Sequence, residues 1–162
     1  MALQEYTVYL SARQFTRITT NMGKDIIKIQ DRAGCATVPA LFPVTIGEKK
    51  TRFLLDTGSD INFVSNSILN DIMESMEVTD LMHSCYGING KAQLCLIIKA
   101  DIEFLGETTT ETFMIPPGDQ IFQEMNKKYA ASIDGILGLD FISKYGIVID
   151  YNNLEIRVNK RS

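Results

Sequence analysis

The chain has 162 residues, 45% of them hydrophobic and 22% charged, with a formal net charge of −4. That size and apolar content suit one domain with a buried core and at most an added terminal segment. Mild acidity argues against a nucleic-acid partner, whose phosphates call for a basic face, and no apolar run approaches the roughly 20 residues of a membrane span.

In chain order, Tyr6–Leu10 is a short alternating run and Lys24–Gln30 has the isoleucine spacing of a strand. Residues 1–35 carry no motif and read as extra strands, a propeptide-like extension or a disordered arm, ahead of a domain over residues 36–162. Pro39–Ile46 ends at Gly47–Glu48, a turn signal, and Lys50–Leu55 returns as its partner strand. The hairpin feeds directly into Asp56-Thr57-Gly58-Ser59. Asn66–Met76 has apolar residues at Ile68, Leu69, Ile72, Met73 and Met76, a helical spacing, with Ser65 or Asn66 as N-cap.

Leu81–Ile98 places two apolar arms around the polar tip Tyr86-Gly87-Ile88-Asn89-Gly90-Lys91, and Asn89–Gly90 is a hairpin-turn pair. Ala100–Leu105 and Thr110–Ile115 flank Gly106–Glu107 as a second hairpin. Pro116–Asp119 is a turn, and Gln120–Ala131 reads as a loop or a short helix. Ile133–Leu139 is an apolar run with two glycines. Asp140–Tyr145 predicts a short helix capped by Asp140 and closed by Gly146. Ile147–Tyr151 and Leu154–Val158 are strands joined by a turn at Asn152–Asn153. Many short strands with one or two short helices make a mainly β chain, a barrel or a sandwich.

Few residues offer chemistry. Cys35, Cys85 and Cys95 are odd in number, without CxxC spacing, which points to reduced thiols rather than a disulfide framework or a zinc site. His83, the only histidine, has no nucleophile signature beside it and reads as a surface or loop residue. No phosphate-binding loop, dinucleotide fingerprint or metal-ligand cluster is present, so neither cofactor nor metal is expected. The N-terminus lacks a basic segment followed by a long apolar one, so the chain reads as soluble and cytoplasmic, or intracellular after release from a larger precursor.

Asp56 stands where an apolar strand runs out into a turn. A carboxylate there is costly unless it is hydrogen-bonded or shares a proton. Gly58 permits a tight backbone and Thr57 and Ser59 add hydroxyls, an arrangement suited to a carboxylate held for acid–base work. Three features in order resemble the retropepsin-like aspartic proteases, single-lobe relatives of pepsin. They are Leu54-Leu55-Asp56-Thr57-Gly58-Ser59, the glycine-bearing hairpin over Met82–Ile97, and Ile136-Leu137-Gly138 before the Asp140–Tyr145 helix. The resemblance spans about Leu41 to Val158 and implies a closed acid-protease barrel with a flap hairpin.

It also implies roles. Asp56 is the catalytic aspartate. Thr57 bonds across a dimer, Gly58 brings backbone N–H groups to the carboxylate, and Ser59 hydrogen-bonds its outer side. Tyr86, Gly87, Ile88, Asn89 and Gly90 form the flap tip over a bound polypeptide. Ile136, Leu137 and Gly138 pack beneath the active-site loop in a structural role. Asp134 and Asp150 read as turn or strand-end residues and Asp60 as exposed. Pepsin-type enzymes hold two such motifs on one longer chain, whereas this chain has one. The resemblance therefore implies a homodimer in which two Asp56 carboxylates share a proton and activate water. The competing reading is a non-catalytic module of the same fold that dimerises or binds peptides.

Overall fold

Side-chain alternation orders the molecule, for which the computed structural model describes residues 5–6, 17–19, 24–29, 38–86 and 90–159. The strands are β1 (Glu5–Tyr6), β2 (Arg17–Thr19), β3 (Lys24–Lys28), β4 (Leu41–Ile46), β5 (Lys49–Leu55) and β6 (Phe63–Val64). A short helix α1 (Leu69–Ile72) lies between 3-10 turns at Asn66–Ile68 and Met73–Ser75. Then follow β7 (Met76–Tyr86), β8 (Ala92–Phe104), β9 (Glu107–Ile115), α2 (Gln120–Tyr129), β10 (Gly135–Leu137), α3 (Leu139–Lys144), β11 (Ile147–Asp150) and β12 (Glu155–Asn159).

One sheet runs β4-β5-β10-β6-β9-β8-β7, and a further β4–β8 pairing closes six of these strands into a barrel with β7 outside it. Within β4 and β5, Phe42, Val44, Ile46, Thr51, Phe53 and Leu55 point inward, the period of two expected of strands with one buried face. Ring contacts link Phe42, Phe104, Phe141 and Tyr145, and Phe53 meets Phe113. Burying each phenylalanine contributes roughly 2 kcal/mol before entropy is counted. A smaller cluster of Leu41, Phe122, Ala131, Ile133 and Ile136 packs under α2.

The second sheet runs β1-β2-β3-β12-β11. Strand β3 pairs antiparallel with β12 from Glu155↔Lys28 to Asn159↔Lys24, and Ile27 and Ile29 join the main core. The Tyr6–Leu10 run lies outside the described residues beyond Tyr6, as does residue 30 of the Lys24–Gln30 run.

Local expectations meet tertiary packing in several places. The two hairpins expected after residue 80 share one continuous strand, β8, which pairs with β7 on one side and β9 on the other. The β8–β9 turn is Leu105-Gly106, both with positive φ (52° and 80°), one residue earlier than Gly106–Glu107. Residues Asn66–Ser75 are helical but broken, because the backbone opens at Ile68 (φ −105°, ψ 0°) and Ile72 (φ −112°, ψ 1°). Ser65 does cap this segment, and Asp119 reinforces it by accepting from Ser65 Oγ, Asn66 N and Ser67 N at 2.7, 2.9 and 3.1 Å. Of the two options for Gln120–Ala131, the helix is the one formed.

Asp140 does not cap α3. The chain leaves β10 extended at Gly138, which becomes the N-cap without a side-chain bond, so Asp140 falls inside the first turn, where its charge faces the positive helix end. Gly146, at φ 59°, closes that helix as expected.

Candidate active site

The Asp56 loop leaves the barrel between β5 and β6, and β10 is inserted between those same two strands. It is parallel to β5 (Gly135↔Phe53, Leu137↔Leu55) and antiparallel to β6 (Gly135↔Val64). The parallel ladder extends one step further, with Asp56 N–H donating to Leu137 O at 3.1 Å. Strand β10 therefore carries Asp56 to a defined height above the core. Leu137 points into the main core, while Ile136 faces Leu54 and Phe63 on the other side.

The loop then turns on itself. Ser59 N donates to Asp56 O at 3.2 Å, and Gly58 N donates to Asp56 Oδ1 at 2.9 Å. A Cβ at Gly58 would stand 3.2 Å from that oxygen, crowding the N–H off its acceptor. Thr57 and Gly58 are exposed, so the loop edge beside the half-buried Asp56 is uncovered in the single chain. Ser59 Oγ donates to Ile61 O at 2.7 Å, not to the carboxylate; its hydroxyl shapes the loop after the turn. Leu139 N donates to Ser59 O at 2.7 Å, fastening the loop from beneath.

Sequence reasoning missed Asn62. It is 7% exposed, and it ties the loop to Gly138 and to β9. Oδ1 accepts from Gly138 N at 2.9 Å, Nδ2 donates to Thr112 O at 3.3 Å, and its backbone O accepts from Met114 N at 2.9 Å. A lone amide between apolar Ile61 and Phe63 was the available signal, since a buried polar side chain must be paired. Asn62→Ala leaves the Gly138 N–H buried without an acceptor, and urea unfolding should register a loss of about 2 kcal/mol. An unchanged midpoint would show that this amide does not hold the loop.

Tyr129 and Tyr151 were also missed. With Val38, Pro39, Leu54, Leu55 and Asp56 they line a cavity of about 460 Å³. Burial, with Tyr129 nearby, raises the Tyr151 hydroxyl above its ordinary value, and a hydrogen bond to Ala40 opposes this. These residues come from the end of α2 and from the β11–β12 turn, so no local pattern joins them.

The flap arms are β7 and the first half of β8, paired from Met82↔Leu96 to Tyr86↔Ala92, with a register break between Val78 and Met82. Thr79 fills the break, its Oγ1 donating to Ile97 O and accepting from Leu81 N. Tyr86 is 78% exposed and Gly90 has φ 69°. Gly87, Ile88 and Asn89 lie outside the described residues. His83 is exposed on β7.

Asp134 and Asp150 are engaged elsewhere. Asp134 accepts from Arg52 N at 2.9 Å, and Asp150 accepts from Asn153 and Arg157. Asp60 is exposed. The arrangement presents one carboxylate, with one oxygen fixed by a backbone N–H, on an open edge beside a cavity. A carboxylate so placed can take up or give a proton.

A sequence model of the aspartyl protease family matches residues 42–141. The retrovirus-related Pol polyprotein from transposon 412 of Drosophila melanogaster is 32% identical over 106 residues, covering 65% of this chain and 8% of the polyprotein. The chain thus spans a small fraction of that relative's length. Among solved structures, a retropepsin-like aspartic protease from Rickettsia conorii superposes with a TM-score of 0.53 at 16% identity, covering 85% of this chain and 90% of that one. The EIAV protease complexed with the inhibitor HBY-793 gives 0.52 at 16% identity, covering 72% and 95%. At such identities the two structures establish a common fold.

Proposed function

This chain belongs to the aspartyl protease family, and from that premise we propose that it is a homodimeric endopeptidase whose site holds Asp56 and Asp56 of the partner subunit. The observation that carries the reading is the exposed edge at Thr57 and Gly58 beside a carboxylate whose Oδ1 already has its N–H donor. A twofold partner laid on that edge supplies the second carboxylate and covers the first.

In the dimer the two carboxylates share one proton, because two adjacent negative charges are costly; such split titration is a property of aspartic proteases in general. The ionised carboxylate takes a proton from water, and the water oxygen attacks the peptide carbonyl. The protonated carboxylate gives its proton to the carbonyl oxygen. The tetrahedral intermediate collapses with proton transfer to the leaving amine. Thr57 bonds across the dimer. The flap tip, Tyr86 to Gly90, closes on an extended peptide held by strand-like backbone bonds.

In this reading residues 36–162 are the protease domain and residues 1–35 an extension. Similarity to part of a Pol polyprotein supports release from a larger precursor inside the cell. Sedimentation with and without a statine-type peptidomimetic tests the assembly. The inhibitor should shift the protein towards dimer, and a species that stays monomeric at saturating inhibitor would sink the proposal.

A further inference from the structure

Three sulfur atoms meet on the inner face of the flap. Cys85 Sγ lies 3.0 Å from Met114 Sδ, and the Cys95 thiol lies against Cys85. Register explains how they meet. Cys85 is opposite Gln93, His83 is opposite Cys95, and Met114 is opposite Ile97, so Cys85, Cys95 and Met114 share one face of the sheet. Along β8, Gln93 and Ile97 are four residues apart, about 13 Å of extended chain. Cys85 reaches Met114 only because the hairpin bends over the barrel. Cys95 sits midway, in the crook of that bend, and is 1% exposed, whereas Cys85 is half-buried.

We propose that Cys85 and Cys95 are a reversible thiol–disulfide site, oxidised by small disulfides of the glutathione class, whose bond fixes the bend of the flap hairpin. Cys85, the more accessible sulfur, attacks one sulfur of the small disulfide as a thiolate and expels the first thiolate, leaving a mixed disulfide. Cys95 then attacks the Cys85 sulfur as a thiolate and expels the second. One protein disulfide forms, the small disulfide is reduced to two thiols, and the two cysteine protons pass to the leaving thiolates. Burial, with Cys85 beside it, pushes the Cys95 thiol up to about 12, so Cys95 stays protonated and is not the first nucleophile; it enters the second step through contact with its target, not through acidity.

The new bond exchanges partners. Cys85 gives up Met114, on the barrel, for Cys95, on its own hairpin. Diagonal positions across antiparallel strands stand about 7–8 Å apart at Cα, near or beyond the upper limit a disulfide spans, so the strands must shift to close it. Cys85 and Cys95 are offset by two residues along the concave face, so straightening the hairpin would draw them apart, and a covalent cross-link resists that. The consequence for turnover rests on the protease reading above; the thiol chemistry does not.

The test uses the full chain and its Cys35→Ser variant, incubated with oxidised glutathione, alkylated and weighed. Both should lose two alkylatable thiols and about 2 Da without retaining glutathione, as a completed exchange requires. Trypsin cuts after Lys91, so the Cys85 and Cys95 peptides should appear joined and separate on reduction. Amide exchange across the arms at 82–86 and 92–97 should slow, and peptide turnover should fall at least about fivefold if opening gates it, recovering with reductant. Cys85→Ser should show no response to oxidant in any of these measurements. Stable glutathione on Cys85, a bond to Cys35, or two thiols still alkylatable would overturn the site. Unchanged exchange with the bond in place would overturn the fixed bend. Absence of turnover in both redox states would count against the protease reading alone, because mass and exchange still decide this one.

Discussion

Asp56→Asn should lower peptide hydrolysis by about three orders of magnitude or more, since the step loses its ionisable pair, while the fold stays intact. Asparagine keeps an oxygen at the position that accepts Gly58 N, so the loop can hold its shape. The residue is half-buried, and the substitution opens no cavity. An amide has no proton to share at any working pH. The hydroxyls of Thr57 and Ser59 do not replace it: Ser59 Oγ is committed to Ile61 O, and Thr57 is exposed. The measurement is cleavage of a peptide library from acidic to neutral pH by both proteins, with thermal unfolding alongside. Equal cleavage would remove Asp56 from the mechanism. No cleavage by either, with undiminished peptide binding by both, would favour the non-catalytic module.

Gly138→Ala carries the other large expected effect, a loss of about 3 kcal/mol. A Cβ at that position would lie 2.5 Å from Ile61 O and 2.6 Å from Ser59 O. Both are backbone atoms of the Asp56 loop, so relief requires moving the loop itself. Moving it strains the Gly138 N to Asn62 Oδ1 and Leu139 N to Ser59 O bonds, each worth about 1 kcal/mol. Gly118→Ala is the matched control, because a Cβ there meets nothing within 4 Å, and its effect should stay within about 0.5 kcal/mol. Urea unfolding of the three proteins decides the matter. If Gly138→Ala unfolds with the wild type, the close packing of Ile136-Leu137-Gly138 beneath the loop is not what supports Asp56. Hydrolysis should fall with stability, since a catalytic group displaced by even a fraction of an ångström loses its alignment.

What was legible in the sequence was local. The partner strand at Lys50–Leu55, the turn at Gly47–Glu48 and the Ser65 cap depend on neighbouring residues, and each holds in the structure. Asp56-Thr57-Gly58-Ser59 is likewise a local object: the donation from Gly58 N to Asp56 spans two residues.

Three of the misses were decided at a distance. Asp140 lost the cap because β10 ends where its pairing with β5 ends, more than 80 residues away along the chain, and that pairing starts α3 at Leu139. Asn62 became a keystone only when Gly138 and Thr112 arrived on either side of it. Tyr129 and Tyr151 came to line the Asp56 cavity through the packing of α2 and the β11–β12 turn.

By itself, then, the sequence determined the strand periods, most of the turns and the tight turn at Asp56, because covalent neighbours set those preferences. Only the tertiary structure decided that β10 slides between β5 and β6, that β3 joins β12, and that the flap bends until Cys85 meets Met114. Those choices are made among many pairings of similar local merit, and burial of the whole apolar surface selects one of them.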